Sequence, residues 1–130
     1  MGLTNIYNSL NNIISYDNAY YVFMEYDEFI RTVDEDVNST AKDIFWKAGH
    51  YINPLILVYQ SKIAKDNNEA PIGLLTGHHT GKISNYPNLE KITNMDVVFN
   101  LDKSENALSL EEQVYNHLLT VEYYSNGIIE

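Results

Sequence analysis

The chain has 130 residues and a mass of 15.0 kDa, which fits a single domain over residues 1–130, because domains cluster near ~100–150 residues. Eighteen Asp and Glu residues against eight Lys and Arg give a formal charge of −10 at pH 7, which argues against direct binding to nucleic acid phosphates or to an anionic membrane. Sixteen aromatic residues argue against disorder, and the lack of cysteine excludes disulfides and thiolate sites.

The first third of the chain combines a predicted helix with an aromatic segment. Apolar residues recur at offsets of three and four, which predicts a helix over residues 5–14. Residues 19–26 are rich in aromatic and β-branched side chains, which favours a strand, although this stretch also fits a helical face. Asp27 would then cap a further short helix over residues 27–33.

The middle of the chain contains a second predicted helix followed by predicted strands. Helical spacing of apolar residues indicates a helix over residues 40–51, with Ser39 as its N-cap and Asn53-Pro54 blocking its continuation. Strands then follow over residues 55–63 and 72–76, which predicts a hairpin within residues 54–76, and another strand is predicted over residues 95–101.

The C-terminal helix has the clearest local signals. Ser109-Leu110-Glu111-Glu112 matches a capping box, and Asn126-Gly127 offers a C-cap, so we expect a helix over residues 109–124. The predicted fold class is therefore α+β. A small antiparallel sheet, formed by the hairpin of residues 54–76 and the strand of residues 95–101, would pack with three to four helices.

The acidic residues are concentrated in two flanks of the sequence. Residues 17–36 hold seven acids against Arg31, a net charge of −6, and residues 102–130 hold six acids against Lys103, a net charge of −5. Five acids and six lysines leave residues 37–101 near neutral. Such asymmetry steers a cationic partner towards one part of a surface.

Both acidic flanks also contain adjacent tyrosines, Tyr20-Tyr21 and Tyr123-Tyr124. Neighbouring side chains diverge in a strand and in a helix, so at least one of each pair is expected at the surface. Tyrosine is enriched where proteins meet, although most aromatic residues of a domain this small belong to its core.

The sequence holds no recognisable pattern for catalysis or for a cofactor. The glycine-bracketed segment of residues 77–81 has one residue too few for a phosphate-binding loop, and Ile83 stands where that loop needs Ser or Thr. His78 and His79 have no third metal ligand at a recognisable spacing. We therefore predict no catalytic, cofactor or metal residues and no enzyme activity.

Charge and aromatic content favour a small acidic inhibitor of a basic nucleic-acid-binding protein. In these properties and in size, the chain resembles phage-encoded inhibitors of the anti-restriction, anti-CRISPR and uracil-DNA glycosylase inhibitor classes, whose carboxylates can imitate DNA phosphates. An immunity protein or antitoxin that neutralises a basic toxin is an alternative with the same electrostatic logic. A further alternative is a structural, oligomeric domain whose aromatic flanks form a self-interface and in which acidity only maintains solubility.

The predicted partner-binding site lies in the first acidic flank. Its carboxylates would supply most of the contact charge and its tyrosines the aromatic anchors. The predicted residues are Tyr20, Tyr21, Glu25, Tyr26, Asp27, Glu28, Asp34, Glu35 and Asp36.

The sequence predicts a cytoplasmic location. The longest apolar runs, such as residues 55–59, fall far short of the ~20 residues that a membrane-spanning helix needs. The first residues contain neither a basic stretch nor a continuous apolar stretch, so a secretory signal is not expected.

Overall fold

The computed structural model describes residues 1–9, 14–32, 35–38, 43–46, 48–78 and 81–130. The strands in these residues are β1 (Leu3–Asn8), β2 (Ser15–Arg31), β3 (Glu35–Asn38), β4 (Asp43–Trp46), β5 (Gly49–Tyr59), β6 (Gly73–Thr76), β7 (Glu90–Thr93), β8 (Phe99–Asn100) and β9 (Ile128–Ile129). The helices are α1 (Lys62–Asp66) and α2 (Leu110–Leu118), with three short 3-10 helices at Gly81–Asn85, Met95–Val97 and Glu122–Tyr124.

Seven of the strands form one mixed sheet in the order β7-β6-β5-β2-β1-β9, with β8 paired to another part of β5. The β6–β7 pair is parallel, and the other pairs of this sheet are antiparallel. Strands β3 and β4 pair with each other as a separate two-stranded hairpin between β2 and β5. The long β2–β5 pair is the centre of the fold.

The predicted small sheet with three to four helices is wrong. Within the described segments, the protein is mostly this seven-stranded sheet and has two α-helices, of five and nine residues. None of the helices described here is long and apolar enough to cross a membrane.

The predicted helix over residues 5–14 is wrong in its described part, where residues 5–8 belong to β1 and residues 10–13 lie outside the described residues. Leu3 and Tyr7 are both buried, and an offset of four is even, so it places two side chains on the same face of a strand as well as of a helix. The exposed Ile6 between Asn5 and Tyr7 shows the alternation of a strand.

The predicted helices over residues 27–33 and 40–51 are also wrong where the structure describes them. Residues 27–31 continue β2, residues 43–46 form β4, and residues 49–51 begin β5. Residues 33, 39–42 and 47 lie outside the described residues, so the predicted Ser39 cap does too. In β2 the antiparallel partner strand determines the conformation, and local helical spacing is overridden.

Other predicted elements are confirmed in part. β5 and β6 form the predicted hairpin, but β5 ends at Tyr59, and Ser61 caps the short helix α1 by accepting a hydrogen bond from the Ala64 N–H. The predicted strand over residues 95–101 is a 3-10 turn followed by the two-residue β8.

The capping box at the start of α2 is partly confirmed. Ser109 Oγ accepts a hydrogen bond from the Glu112 N–H, and the same hydroxyl donates to the Glu112 carboxylate. The helix ends at Leu118, before the predicted C-cap. Gly127 has no left-handed φ, and its close approach to Leu3 leaves little room for a Cβ atom.

The sheet is covered on both faces near its centre. Helix α2 packs Val114, Tyr115 and Leu118 into the larger core, whose sheet residues include Leu3, Tyr21, Ile52, Ile56 and Val58. Leu55, Leu57 and Leu74 form a smaller cluster with Ile83, Tyr86 and Leu89 from the segment that follows β6. The second half of β2 extends beyond this doubly covered region and positions the candidate site.

Candidate protein-binding surface

The second half of β2 has one paired edge and one free edge. Strand β1 pairs with β2 as far as Tyr21, whereas β5 pairs with β2 as far as Arg31. In the described parts of the chain, no other strand pairs with residues 24–31 of β2. We call the side of residues 24–31 that faces away from β5 the free edge.

A β-bulge marks the start of the free edge. Phe23 is opposite Ile56 and Glu25 is opposite Leu55, so Met24 is the extra residue of the bulge. Beyond it, burial alternates along the strand. Glu25 and Asp27 therefore point to one face of the sheet, and Tyr26 and Glu28 point to the other.

An open groove of about 620 Å³ follows this part of β2. Three carboxylates and one amine line it, together with apolar and aromatic side chains. The lining residues are Phe23, Met24, Glu25, Tyr26, Asp27, Glu28 and Lys82. The groove thus brings together four of the predicted site residues, Glu25, Tyr26, Asp27 and Glu28.

Two of the groove's carboxylates have basic neighbours. Lys82 Nζ lies 3.3 Å from Asp27 Oδ1, donates a hydrogen bond to the Tyr26 carbonyl oxygen and lies 6.0 Å from the centre of the Tyr26 ring. His50 Nε2 contacts Glu28 Oε2 from the neighbouring strand. These contacts are partly exposed, so they hold the side chains in place more than they stabilise the fold.

Glu25 differs from the other two acids because its Oε2 atom is shielded from solvent and has no hydrogen-bond partner among the described residues. A shielded carboxylate oxygen without a donor is costly, since it has lost water and gained nothing in return. Burial raises the pKa of the nearby Tyr86, and the Glu25 charge raises it further. Glu25 is therefore the group in the groove that would gain most from a hydrogen-bond donor.

Two of the predicted aromatic anchors lie in the core. Tyr20 is 3% exposed and donates a hydrogen bond to the Glu130 carbonyl oxygen, and Tyr21 is 1% exposed and donates to the Ile6 carbonyl oxygen. The expectation that one of these two reaches the surface is wrong, because β2 is covered on both faces here. It is confirmed for the second pair, in which Tyr123 is exposed and Tyr124 is buried.

The remaining predicted acids lie beyond the groove in sequence. Asp34 is outside the described residues. Glu35 and Asp36 belong to β3, where their backbones are opposite those of Trp46 and Phe45 in β4. Their part in a binding surface stays a prediction.

The acids of residues 102–130 do not join the groove lining described above. Burial is the largest cause of the raised pKa of Tyr20, and the nearby charges of Asp66, Glu130 and Glu111 raise it further. The two acidic flanks of the sequence therefore contribute to different parts of the described surface.

Sequence reasoning missed Met24, His50 and Lys82. A bulge has no sequence signal of its own. The basic side chains of His50 and Lys82 contact carboxylates of the groove only because strands or segments distant in sequence pack beside β2. The even spacing of Glu25 and Asp27 was a signal for a shared strand face, but the predicted helix from Asp27 concealed it.

The described histidines do not indicate a metal centre. No group of three or more His, Asp or Glu in the described residues is arranged to hold an ion. His117 stacks on Phe99, and its Nε2 lies 2.7 Å from the Asp96 carbonyl oxygen. Burial lowers the pKa of His117, which fits a neutral imidazole packed against the core.

Comparison with known proteins adds no assignment to these features. No family model matches the chain, and no match was found among curated proteins or among solved structures.

Proposed function

We propose that this protein is a small acidic inhibitor that acts in the cytoplasm and blocks a basic nucleic-acid-binding protein. It would belong to the phage or mobile-element type, in the anti-CRISPR, anti-restriction or DNA-mimic class. The observation that supports this proposal most is the acidic groove along the free edge, where Glu25, Asp27 and Glu28 lie beside the exposed ring of Tyr26.

The proposed mechanism is competition with nucleic acid for a basic groove. Glu25 and Asp27 lie two residues apart on one strand face, a spacing of ~6.7 Å. Phosphates of one DNA strand recur every ~3.4 Å along the duplex axis, so the two carboxylates match the rise of two nucleotides. Tyr26 would add apolar contact area at low entropic cost.

Charge would act mainly on the rate of association. A net charge of −10 attracts a basic partner over a distance, and exposed contacts are weakened when salt screens them within a Debye length of ~8–10 Å. Salt sensitivity therefore separates this function from self-association through apolar contacts.

Affinity capture from a bacterial lysate tests the proposal with three tagged proteins. The wild type is compared with a variant in which the groove residues Glu25, Asp27 and Glu28 are changed to Lys. The control variant has the same change of charge at three exposed glutamates of the other flank, Glu105→Lys, Glu111→Lys and Glu122→Lys.

The proposal predicts that the wild type and the control retain a basic nucleic-acid-binding protein at ~150 mM salt and release it at ~1 M salt. The variant changed at Glu25, Asp27 and Glu28 should associate with that partner at least about tenfold more slowly. Recovery of the protein alone as a salt-resistant oligomer would contradict the function. Equal losses in both variants would contradict the position of the site, because net charge alone would explain them.

A further inference from the structure

We infer that the free edge of β2 is a docking site for an extended strand of a partner protein, with lysine or arginine on one face of that strand and apolar residues on the other. The inference rests on the proposed function only for the sign of the partner's charge. Strand addition to an open sheet edge supplies main-chain hydrogen bonds, and the alternating side chains supply specificity.

The register of the β2–β5 pair shows which backbone groups face the free edge. Tyr26 is opposite Pro54, which has no N–H to exchange, so this is a pair whose backbone groups point away from each other. Ile30 is opposite His50, and the N–H and carbonyl of His50 bond to Asn100 and Leu101 on the far side of β5. By alternation, the N–H and carbonyl groups of Tyr26, Glu28 and Ile30 all point to the free edge.

These edge-facing groups are almost all available to another strand. The Tyr26 carbonyl accepts the hydrogen bond from Lys82 Nζ. Within the described residues, no hydrogen bond occupies the N–H groups of Tyr26, Glu28 and Ile30 or the carbonyls of Glu28 and Ile30 at this edge. Natural sheets normally cover or blunt such an edge, and a bare one is a template for strand pairing.

The side chains beside the edge define the chemistry of the incoming strand. Glu25 and Asp27 lie on one face, and the unpartnered Oε2 of Glu25 would accept a hydrogen bond from a lysine or arginine. The other face carries Tyr26, Glu28 and Ile30, and the Glu28 carboxylate there contacts His50. Tyr26 is 37% exposed and Ile30 is 71% exposed, so these two side chains suit an apolar residue of the incoming strand. A strand with alternating cationic and apolar residues meets both faces at once.

A second copy of this chain fits the edge less well. Residues 24–31 contain Glu25, Asp27 and Glu28 against Arg31, a net charge of −2, so edge-to-edge pairing would bring two acidic strands together. Like charges placed opposite each other destabilise a strand pair. Charge complementarity therefore selects a basic strand.

The first test uses a synthetic nine-residue peptide of alternating lysine and valine with blocked ends. Binding to the full-length protein is measured by fluorescence anisotropy, and the bound edge is located by amide NMR shifts. We expect saturable binding with shifts at the amides of Glu28 and Ile30. A peptide of alternating glutamate and valine should bind at least about tenfold more weakly, and N-methylation of alternate lysine–valine peptide residues should have a similar effect, because it removes main-chain donors.

Matched variants separate edge pairing from charge. Glu28→Ala and Glu28→Pro both remove the carboxylate, but only the proline variant also removes an N–H from the free edge. Glu28→Pro should bind the lysine–valine peptide about tenfold more weakly than Glu28→Ala, and Glu25→Gln should weaken it several-fold. Urea denaturation of each variant verifies folding.

Equal affinities of the two Glu28 variants, or equal binding of the N-methylated peptide, would overturn the docking site. A salt-resistant dimer that Glu28→Pro dissociates would also overturn it in favour of a second copy. If capture from lysate identifies a basic partner while the peptide does not bind, the docking site fails and the proposed function stands. If the peptide binds as expected and capture yields no basic protein, the docking site stands and the proposed function fails.

Discussion

Buried tyrosine hydroxyls connect the central sheet to elements that are distant in sequence. The Tyr115 hydroxyl on α2 accepts a hydrogen bond from the Phe23 N–H at 2.8 Å and donates to the Met1 carbonyl oxygen at 3.1 Å. It thus satisfies the backbone of β2 at the point where β1 no longer does so. Buried aromatic rings contribute a large apolar area, but each hydroxyl must find a partner.

Replacing Tyr115 with Phe should lower the free energy of unfolding by about 1–3 kcal/mol, because the Phe23 N–H would lose its partner in a partly buried place. Urea denaturation measures the change. Tyr123→Phe is the control, since that ring is 46% exposed and its hydroxyl is 3.4 Å from Asn8 Nδ2, and it should change stability by less than about 0.5 kcal/mol. Equal effects in the two variants would contradict this role of Tyr115.

Asn53 is a buried polar side chain that fixes the end of the β5–β6 pair. Its Oδ1 accepts hydrogen bonds from the Gly77 N–H at 2.8 Å and from the Thr76 hydroxyl at 3.3 Å. Its Nδ2 donates to the His78 carbonyl oxygen at 3.3 Å. A Cβ atom at Gly77 would collide with Asn53 and Val98, so this approach needs glycine.

We expect Asn53→Ala to lower the free energy of unfolding by about 2–3 kcal/mol, because it leaves the buried Gly77 N–H without an acceptor. The exposed Asn8→Ala is the matched control and should cost less than about 0.5 kcal/mol. Thermal or urea denaturation gives both values. An Asn53 variant as stable as its control would show that water replaces the side chain.

At the scale of elements, the sequence predicted those parts of the fold whose signals are local. The Ser109 cap, the start of α2 and the β5–β6 hairpin could be predicted because capping and turn residues act within a few positions. Spacing could not show that residues 27–31 and 49–51 form strands and not helices. Pairing between β2 and β5 decides their conformation, and no local pattern contains that pairing.

Proline in the middle of β5 is a second feature that local sequence signals could not predict. By sequence, Asn53-Pro54 is expected to block the continuation of a helix, yet both residues lie inside a strand. Pro54 lies between residues 51–52, which pair with β8, and residues 55–58, which pair with β6, so its missing N–H breaks no ladder. This tolerance depends on the register of three strands, which no local pattern contains.

The candidate site was predictable in charge but not in geometry. The density of acids and aromatics in the sequence predicts Glu25, Tyr26, Asp27 and Glu28, and these four residues share one groove. The same density predicts Tyr20 and Tyr21, which lie in the core. Composition does not reveal which part of a strand is covered on both faces. Lys82 could not be predicted from a segment more than fifty residues away.

The register of β2 predicts that proline lowers the free energy of unfolding by different amounts at two neighbouring positions. Asp27 is opposite Asn53 in a pair that exchanges backbone hydrogen bonds, so Asp27→Pro should lower the free energy of unfolding by about 2–3 kcal/mol. The Glu28 N–H faces the free edge, and Glu28→Pro should cost about 1 kcal/mol or less. Urea denaturation of both variants tests the register, and a larger cost at Glu28 would contradict it.

At the scale of the whole molecule, tyrosine burial makes stability sensitive to alkaline pH. Burial raises the pKa of Tyr115 to about 12 and raises the pKa values of Tyr7, Tyr21 and Tyr124 further. A raised pKa stabilises the fold fully below the unfolded value of ~10, and this stabilisation is lost as pH rises towards the folded pKa. Each such tyrosine costs roughly 1.4 kcal/mol per pH unit in that range.

We therefore expect cooperative unfolding between about pH 10 and pH 12, with part of the tyrosinate absorbance appearing only as the circular dichroism signal is lost. Ionisation of all eleven tyrosines near pH 10 in a protein that retains its circular dichroism would contradict the described core.

We propose that an acidic surface on this protein occupies the nucleic-acid site of a basic partner. The most direct measurement is competition between this protein and double-stranded DNA for the captured partner at several salt concentrations. We expect mutually exclusive binding and an affinity that falls steeply as salt rises. Simultaneous binding of DNA and this protein to the partner, with an affinity that salt does not change, would contradict it.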